Sequence, residues 1–188
     1  MQRATRRRLR RVNFSCVFLL RPFRPMYLYF VRHGLAARAA AGTSDRERIL
    51  TDRGRAQLEA QQQALQRLAW PVARVLHSPL VRARQTAAAL APAFALVPEE
   101  ERLLQPGVTL ADVQEIASRY PTSAHLMLIG HQPDMGRLTH RLTGASVAVQ
   151  EGVIIVIEAR SVRPQQGTLR AIYAPEDLAQ LGRALPAT

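Results

Sequence analysis

Apolar residues fall into short continuous runs separated by amphipathic stretches. Tyr27-Leu28-Tyr29-Phe30-Val31 is an unbroken run of strand formers, as expected for a strand buried on both faces of an α/β sheet. Arg74 to His77, His125 to Ile129 and Gly152 to Ala159 read as further strands, and Thr168 to Tyr173 alternates like a last one. Leu96-Val97 suggests another strand, with Glu99-Glu100-Glu101 after it as loop. Between these runs the period changes. Leu58, Leu65 and Leu68 recur at helical spacing after Thr51, a suitable N-cap, and Asp52, which suits the positive end of the dipole. Trp70-Pro71 stops that helix. Ser78-Pro79 predicts a helix to about Ala91, with Ser78 as N-cap and Pro79 in the first position. Thr109 caps a helix from Leu110 to Tyr120, and Met135 to Leu142 and Pro175 to Leu181 read as two more. Residues 35–49 lack periodicity and read as a loop turning at Gly42, Thr43, Ser44 and Asp45, and Gln105-Pro106-Gly107 is a second turn.

There are no repeats, and the alternation is β-α-β-α. The expected architecture is therefore a single-domain layered α/β sandwich with a mostly parallel central sheet flanked by helices. The 188 residues, 47% hydrophobic, suffice for one domain with a real core.

Charge changes the picture only at one end. The formal net charge is +12, and residues 1–25 carry eight arginines and no acid. The other 18 arginines face 14 acids, and there is no lysine. The basic character belongs mainly to a leader. That leader has an apolar run, Val12 to Leu20, but Arg21 and Arg24 follow it without a small-x-small cleavage site. The run is also too short to span a bilayer, which takes about 20 apolar residues. Residues 1–25 are expected to be disordered or to precede a true start at Met26, residues 26–182 to form the domain and 183–188 a tail. No nucleic-acid or membrane partner is expected, and the expected location is cytoplasmic. The one cysteine, Cys16, excludes an internal disulfide and a cysteine-ligated zinc. It is also no tyrosine-phosphatase loop, since Pro22 stands where that loop needs Arg.

Candidate chemistry sits at three strand ends. The first finishes in Arg32-His33-Gly34, the second leads through Ser78-Pro79 to Arg82, and the third finishes in Gly130-His131. If those strands are parallel, two imidazoles and two guanidiniums converge where open α/β sheets bind ligands. Guanidiniums present forked donors suited to phosphate oxygens, and helix N-termini add N–H groups. An imidazole between cations favours its neutral, nucleophilic form. A second, charged imidazole would stabilise equatorial oxygens. Gly34 lets the backbone turn and a ligand approach. No metal or cofactor is expected, because Asp-x-Asp, His-Glu-x-x-His and Walker A patterns are missing. His77 reads as structural or rim, and His125 and His140 are given no role.

This combination resembles the histidine phosphatase superfamily. The matching pieces are Phe30-Val31-Arg32-His33-Gly34-Leu35-Ala36, Leu50-Thr51-Asp52-Arg53-Gly54-Arg55-Ala56-Gln57, Ser78-Pro79-Leu80-Val81-Arg82-Ala83-Arg84-Gln85-Thr86-Ala87 and Ile129-Gly130-His131-Gln132-Pro133. Their order and spacing match across about residues 26–178, and the compact length looks most like the SixA-type phosphohistidine phosphatases. The resemblance implies a phosphoglycerate-mutase-like fold without a large cap insertion. It implies that His33 accepts the phosphoryl group, that Arg32 and Arg82 clamp it, that His131 is the second histidine and that Arg84 lies at the rim. Thr51, Gly54 and Gln57 would shape the first helix. Mutase-like relatives carry Glu-Ser after Arg-His-Gly and a carboxylate proton donor in mid-chain. Here Leu35-Ala36 and Leu104-Gln105-Pro106-Gly107 stand instead, and Gln105 cannot be a general acid. Glu99 to Glu101 or Asp112 are the remaining candidate donors. The departure fits a phosphoramidate, so a phosphohistidine on a protein partner in signal transduction is the implied substrate. A small phosphate ester (of a sugar or nucleotide) and a silent phosphoprotein-binding module are the alternatives.

Overall fold

The computed structural model describes residues 24–39, 42 and 44–185, so the leader up to residue 23, Ala40, Ala41, Thr43 and the end of the tail lie outside the described residues. Six strands form one sheet: β1 (Met26–Arg32), β2 (Arg74–His77), β3 (Glu99–Glu100), β4 (His125–Gly130), β5 (Ile154–Ala159) and β6 (Gly167–Tyr173). Their order is β3-β2-β4-β1-β5-β6. The β3-β2, β2-β4 and β4-β1 pairs are parallel, and β5 runs against both its neighbours. Among the described residues four α-helices connect them, α1 (Asp52–Leu68), α2 (Val81–Leu90), α3 (Leu110–Ser118) and α4 (Asp134–Thr143), and α5 (Pro175–Ala184) follows β6.

Side chains of a strand alternate between faces, and here each face has its own core. Leu28 and Phe30 of β1 join Leu126 and Leu128 of β4 against Val113 and Ile116 of α3 and Leu138 of α4. Tyr29 and Val31, with Met127 and Ile129, meet Leu58 and Leu65 of α1, Ala83 and Ala87 of α2 and Leu178 of α5. This is why β1 is apolar from Met26 to Val31 and β4 from Leu126 to Ile129. Helices cover both faces, as the α/β sandwich requires, and among the described residues between β1 and α1 the only regular element is one 3-10 turn, Asp45–Glu47, with no inserted cap.

Thr51 caps α1 by accepting the Gly54 N–H at 3.0 Å, as its position predicts. Two expectations fail. The edge strand is Glu99–Glu100, not Leu96-Val97, and Val97 is 83% exposed. β3 takes its register from β2 alone, through Leu76↔Glu99 and His77↔Glu100. Charged residues on a two-residue edge also discourage further strand pairing. Ser78 is not a helix cap: α2 begins at Val81 after Leu80, and the Ser78 hydroxyl is spent elsewhere. The other boundaries fall within two or three residues of expectation.

Candidate active site

Because β1, β2 and β4 are parallel and aligned, with Arg32 opposite Gly130 and His77 opposite Ile129, their carboxyl ends finish side by side. Backbone bonds carry the pairing past the strands: His33 N–H donates to Gly130 O and Ser78 N–H to Ile129 O, each at 3.0 Å. His33 and His131 are thereby forced into adjacency, with ring centroids 5.3 Å apart. Both are buried, as is Arg82 from the first turn of α2.

The bonds on His33 define its proton. Nδ1 lies 2.8 Å from the Gly34 carbonyl, which can only accept, so Nδ1 carries the hydrogen. Nε2 then keeps its lone pair, and the Arg82 Nε–H donates to it at 3.0 Å. Gly34 N–H donates to Thr86 Oγ1 at 2.9 Å, and that hydroxyl donates to Arg82 O at 2.7 Å. Thr86, fully buried one turn after Arg82, thus ties the end of β1 to α2. A Cβ on Gly34 would stand 2.8 Å from Leu58 Cδ1, so a larger residue would push on the core. Gly34 supports His33 from behind, with its own N–H already committed.

Each arginine is held by a loop. Arg82 Nη1 donates to Asp45 O at 2.6 Å and Nη2 to Asp45 Oδ2 at 2.9 Å. Arg32 Nη1 donates to Val149 O at 2.8 Å, and Nη2 is paired with the Glu151 carboxylate. His131 Nε2 lies 2.8 Å from Ser78 Oγ. Among the described residues three buried side-chain polar atoms have no partner, and two of them, Arg32 Nε and His131 Nδ1, belong to this cluster.

Burial sets the charge of both imidazoles. The His33 imidazole is pushed down to about 4, and burial is the main cause, with the Arg82 and Arg32 charges adding less. The sequence allows His131 to carry charge; burial, with the neighbouring His33 and Arg82, lowers it to about 3. Both imidazoles are neutral at physiological pH in this structure.

The other candidates are placed elsewhere. Glu99 and Glu100 are exposed on β3, and Glu101 binds Leu103 N–H and Arg119. Asp112 closes the capping box of α3 with Thr109. Gln105 accepts from Arg46 at 3.4 Å. Arg84 is exposed. His77 is buried against Ser78 O, His125 stacks on Tyr27 at 4.6 Å, and His140 is exposed on α4. A groove of about 830 Å³ opens beside Gln132 and Pro133, directly after His131, and is flanked by Gly107, Arg137 and Val147. Among the described residues no group of three or more His, Cys, Asp or Glu side chains is gathered to hold a metal ion. The sequence reading gives no site role to the Ser78, Thr86, Asp45 or Glu151 side chains. Thr86 had a signal, one helical turn from Arg82 and on the same face; Glu151 lies 119 residues from Arg32 and had none.

Comparison with known proteins bears on the family and the fold. The family model of the histidine phosphatase superfamily (branch 1) matches residues 28–123. An uncharacterized protein of Picosynechococcus sp. is 35% identical over 155 residues, covering 79% of this chain and 94% of that one. The chain belongs to the histidine phosphatase superfamily. A solved structure of the protein histidine phosphatase SixA, complexed with tungstate, is 26% identical, covers 81% of this chain and 99% of its own, and superposes with a TM-score of 0.69. A mycobacterial glucosyl-3-phosphoglycerate phosphatase shares the fold at 14% identity, 79% and 98% coverage and a TM-score of 0.62.

Proposed function

We propose that this protein is a phosphatase working through a phosphohistidine on His33, and that its substrate is a phosphohistidine carried by another protein. The observation that carries the reading is the state of His33 Nε2: an unprotonated nitrogen, buried, 3.0 Å from the Arg82 guanidinium and beside a second imidazole. Such a nitrogen is a nucleophile at neutral pH. It attacks phosphorus in line while the P–N bond of the substrate breaks, and the departing imidazole takes up a proton from solvent water. Arg82 exchanges its bond to Nε2 for bonds to phosphoryl oxygens. Arg32 Nε and His131 Nδ1, the two unpartnered nitrogens of the cluster, complete the set of donors. Water then cleaves the P–Nε2 bond, releasing inorganic phosphate and restoring neutral His33.

Three features support the protein substrate. Gln105 stands in the turn where relatives that cleave esters have a carboxylic acid, and an imidazole leaves more easily than an alkoxide. Among the described residues, the connection over the site holds one 3-10 turn and no inserted cap. The 26% identity to the SixA structure extends over 81% of the chain. The test compares a phosphohistidine-bearing protein, p-nitrophenyl phosphate and sugar phosphates as substrates for wild type and His33→Ala. Wild type should prefer the phosphohistidine protein and leave an acid-labile phosphoenzyme. His33→Ala should lose roughly a thousandfold or more, as removal of a nucleophile does. Equal activity in the variant refutes the mechanism. Turnover of sugar phosphate alone refutes the substrate and favours a small ester.

A further inference from the structure

His131 is neutral here and so owns one ring proton, which either nitrogen can hold. A neutral imidazole can donate to a phosphoryl oxygen only from the nitrogen that carries that proton. On the other tautomer the same nitrogen presents a lone pair to the oxygen and repels it. Some group must settle the choice before the anion arrives.

The bonds around Ser78 settle it. Ser78 is fully buried, so its hydroxyl proton needs an acceptor within the protein. Among the described residues the Ser78 oxygen has two partners, the Leu80 backbone N–H at 3.4 Å and His131 Nε2 at 2.8 Å. Leu80 N–H can only donate. If Nε2 also donated, the hydroxyl proton would be left buried without a partner, which costs about 1–3 kcal/mol. With Nε2 accepting, every group around Ser78 is satisfied. The proton of His131 then resides on Nδ1, the nitrogen that is buried and unpartnered in the protein alone.

We propose that Ser78 is a positioning residue that donates its hydroxyl proton to His131 Nε2 and thereby holds the His131 proton on Nδ1, ready for a phosphoryl oxygen. The inference rests on the proposed function for what Nδ1 binds, but not for the tautomer itself. It gives His131 a role that needs no positive charge, in accord with the burial that disfavours one. It also accounts for a Ser before Pro79 that caps no helix. His33 is fixed in the same manner by the Gly34 carbonyl, with opposite use: there the nitrogen bonded to the carbonyl keeps the proton, and the other, which accepts from Arg82, attacks.

Nitrogen-15 NMR of the imidazoles in the full chain reads the tautomer directly, and steady-state kinetics on the phosphohistidine protein reads its consequence. Wild type should show His131 protonated on Nδ1. Ser78→Ala should populate the Nε2-protonated form, bind inorganic phosphate more weakly and lose at least about tenfold in kcat/KM, as positioning partners of catalytic imidazoles do. Ser78→Thr, which keeps the hydroxyl, should recover most of both. Should Ser78→Ala fail to fold, the wild-type spectrum and Ser78→Thr still decide. An Nε2-protonated wild type overturns the proposal, as does a Ser78→Ala protein with wild-type turnover. Absence of turnover by wild type, with the Nδ1 tautomer present and lost in Ser78→Ala, overturns the proposed function and leaves the hold of Ser78 on His131 standing.

Discussion

Replacing Gly54 by Ala should destabilise the protein, although local helix chemistry says the reverse. Gly54 is the third residue of α1, where Ala is favoured over Gly by about 1 kcal/mol. In the folded chain a Cβ at Gly54 would lie 2.3 Å from the Leu35 carbonyl oxygen and 3.1 Å from its carbon. That obstacle is backbone and cannot rotate away. The same oxygen accepts from Thr51 N–H at 3.0 Å and Thr51 Oγ1 at 3.3 Å, so moving it strains the cap of α1. Overpacking of this kind costs about 1–3 kcal/mol, and a weakened hydrogen bond about 1 more. After the helix gain, a net loss of about 2 kcal/mol is expected. At about 2–4 °C per kcal/mol for a domain of this size, the Tm should fall by about 4–8 °C. Urea unfolding should show a lower midpoint with an unchanged slope. Turnover should fall as well, because Leu35 follows Gly34 and His33 directly. A Gly54→Ala protein at least as stable as wild type would refute the packing argument.

Two further outcomes follow from the charges at the site. The folded-state values of His33 and His131, about 4 and about 3, lie below the ordinary 6.5, so between about pH 6.5 and 4 the unfolded chain binds more protons than the folded one. Stability is then intact above that window and falls as pH drops through it, by up to about 1.4 kcal/mol per pH unit for each histidine. Urea midpoints measured from pH 7.5 to 4.5 should show this, with a shallower fall in His131→Gln; a flat profile from pH 7 to 5 would refute it. Asp45, held low first by Arg48 and then by Arg82, is an ionised carboxylate on the guanidinium that the proposed mechanism gives to phosphate. Its side chain is 61% exposed, so the pair is worth at most about 1 kcal/mol. Asp45→Ala should therefore bind inorganic phosphate up to about fivefold tighter in a competition assay, and weaker binding would show that Asp45 instead keeps Arg82 in position.

Much of the architecture is legible from local pattern. The apolar run of β1, the Thr51 cap and the Thr109 capping box involve neighbours in the chain, and local sterics and hydrogen bonds decide them. The ends Arg32-His33-Gly34 and Gly130-His131 are legible for the same reason: a buried strand that stops abruptly in polar residues marks a sheet edge. What fails to show is pairing between distant segments. Ser78 reads as a cap because Ser before Pro usually is one, yet its partner His131 lies 53 residues away.

The sequence by itself determined the α/β class, the two histidines and the two arginines, since each depends on periodicity or on residues adjacent in the chain. Only the tertiary structure decided how those groups are protonated and partnered. Cations flanking His33 are visible in the sequence, but the burial that lowers it most comes from the whole sheet and the helices packed on it. The Asp45–Arg82 and Glu151–Arg32 pairs join segments 37 and 119 residues apart. Desolvation and long-range pairing are properties of packed volume, and a one-dimensional pattern does not contain them.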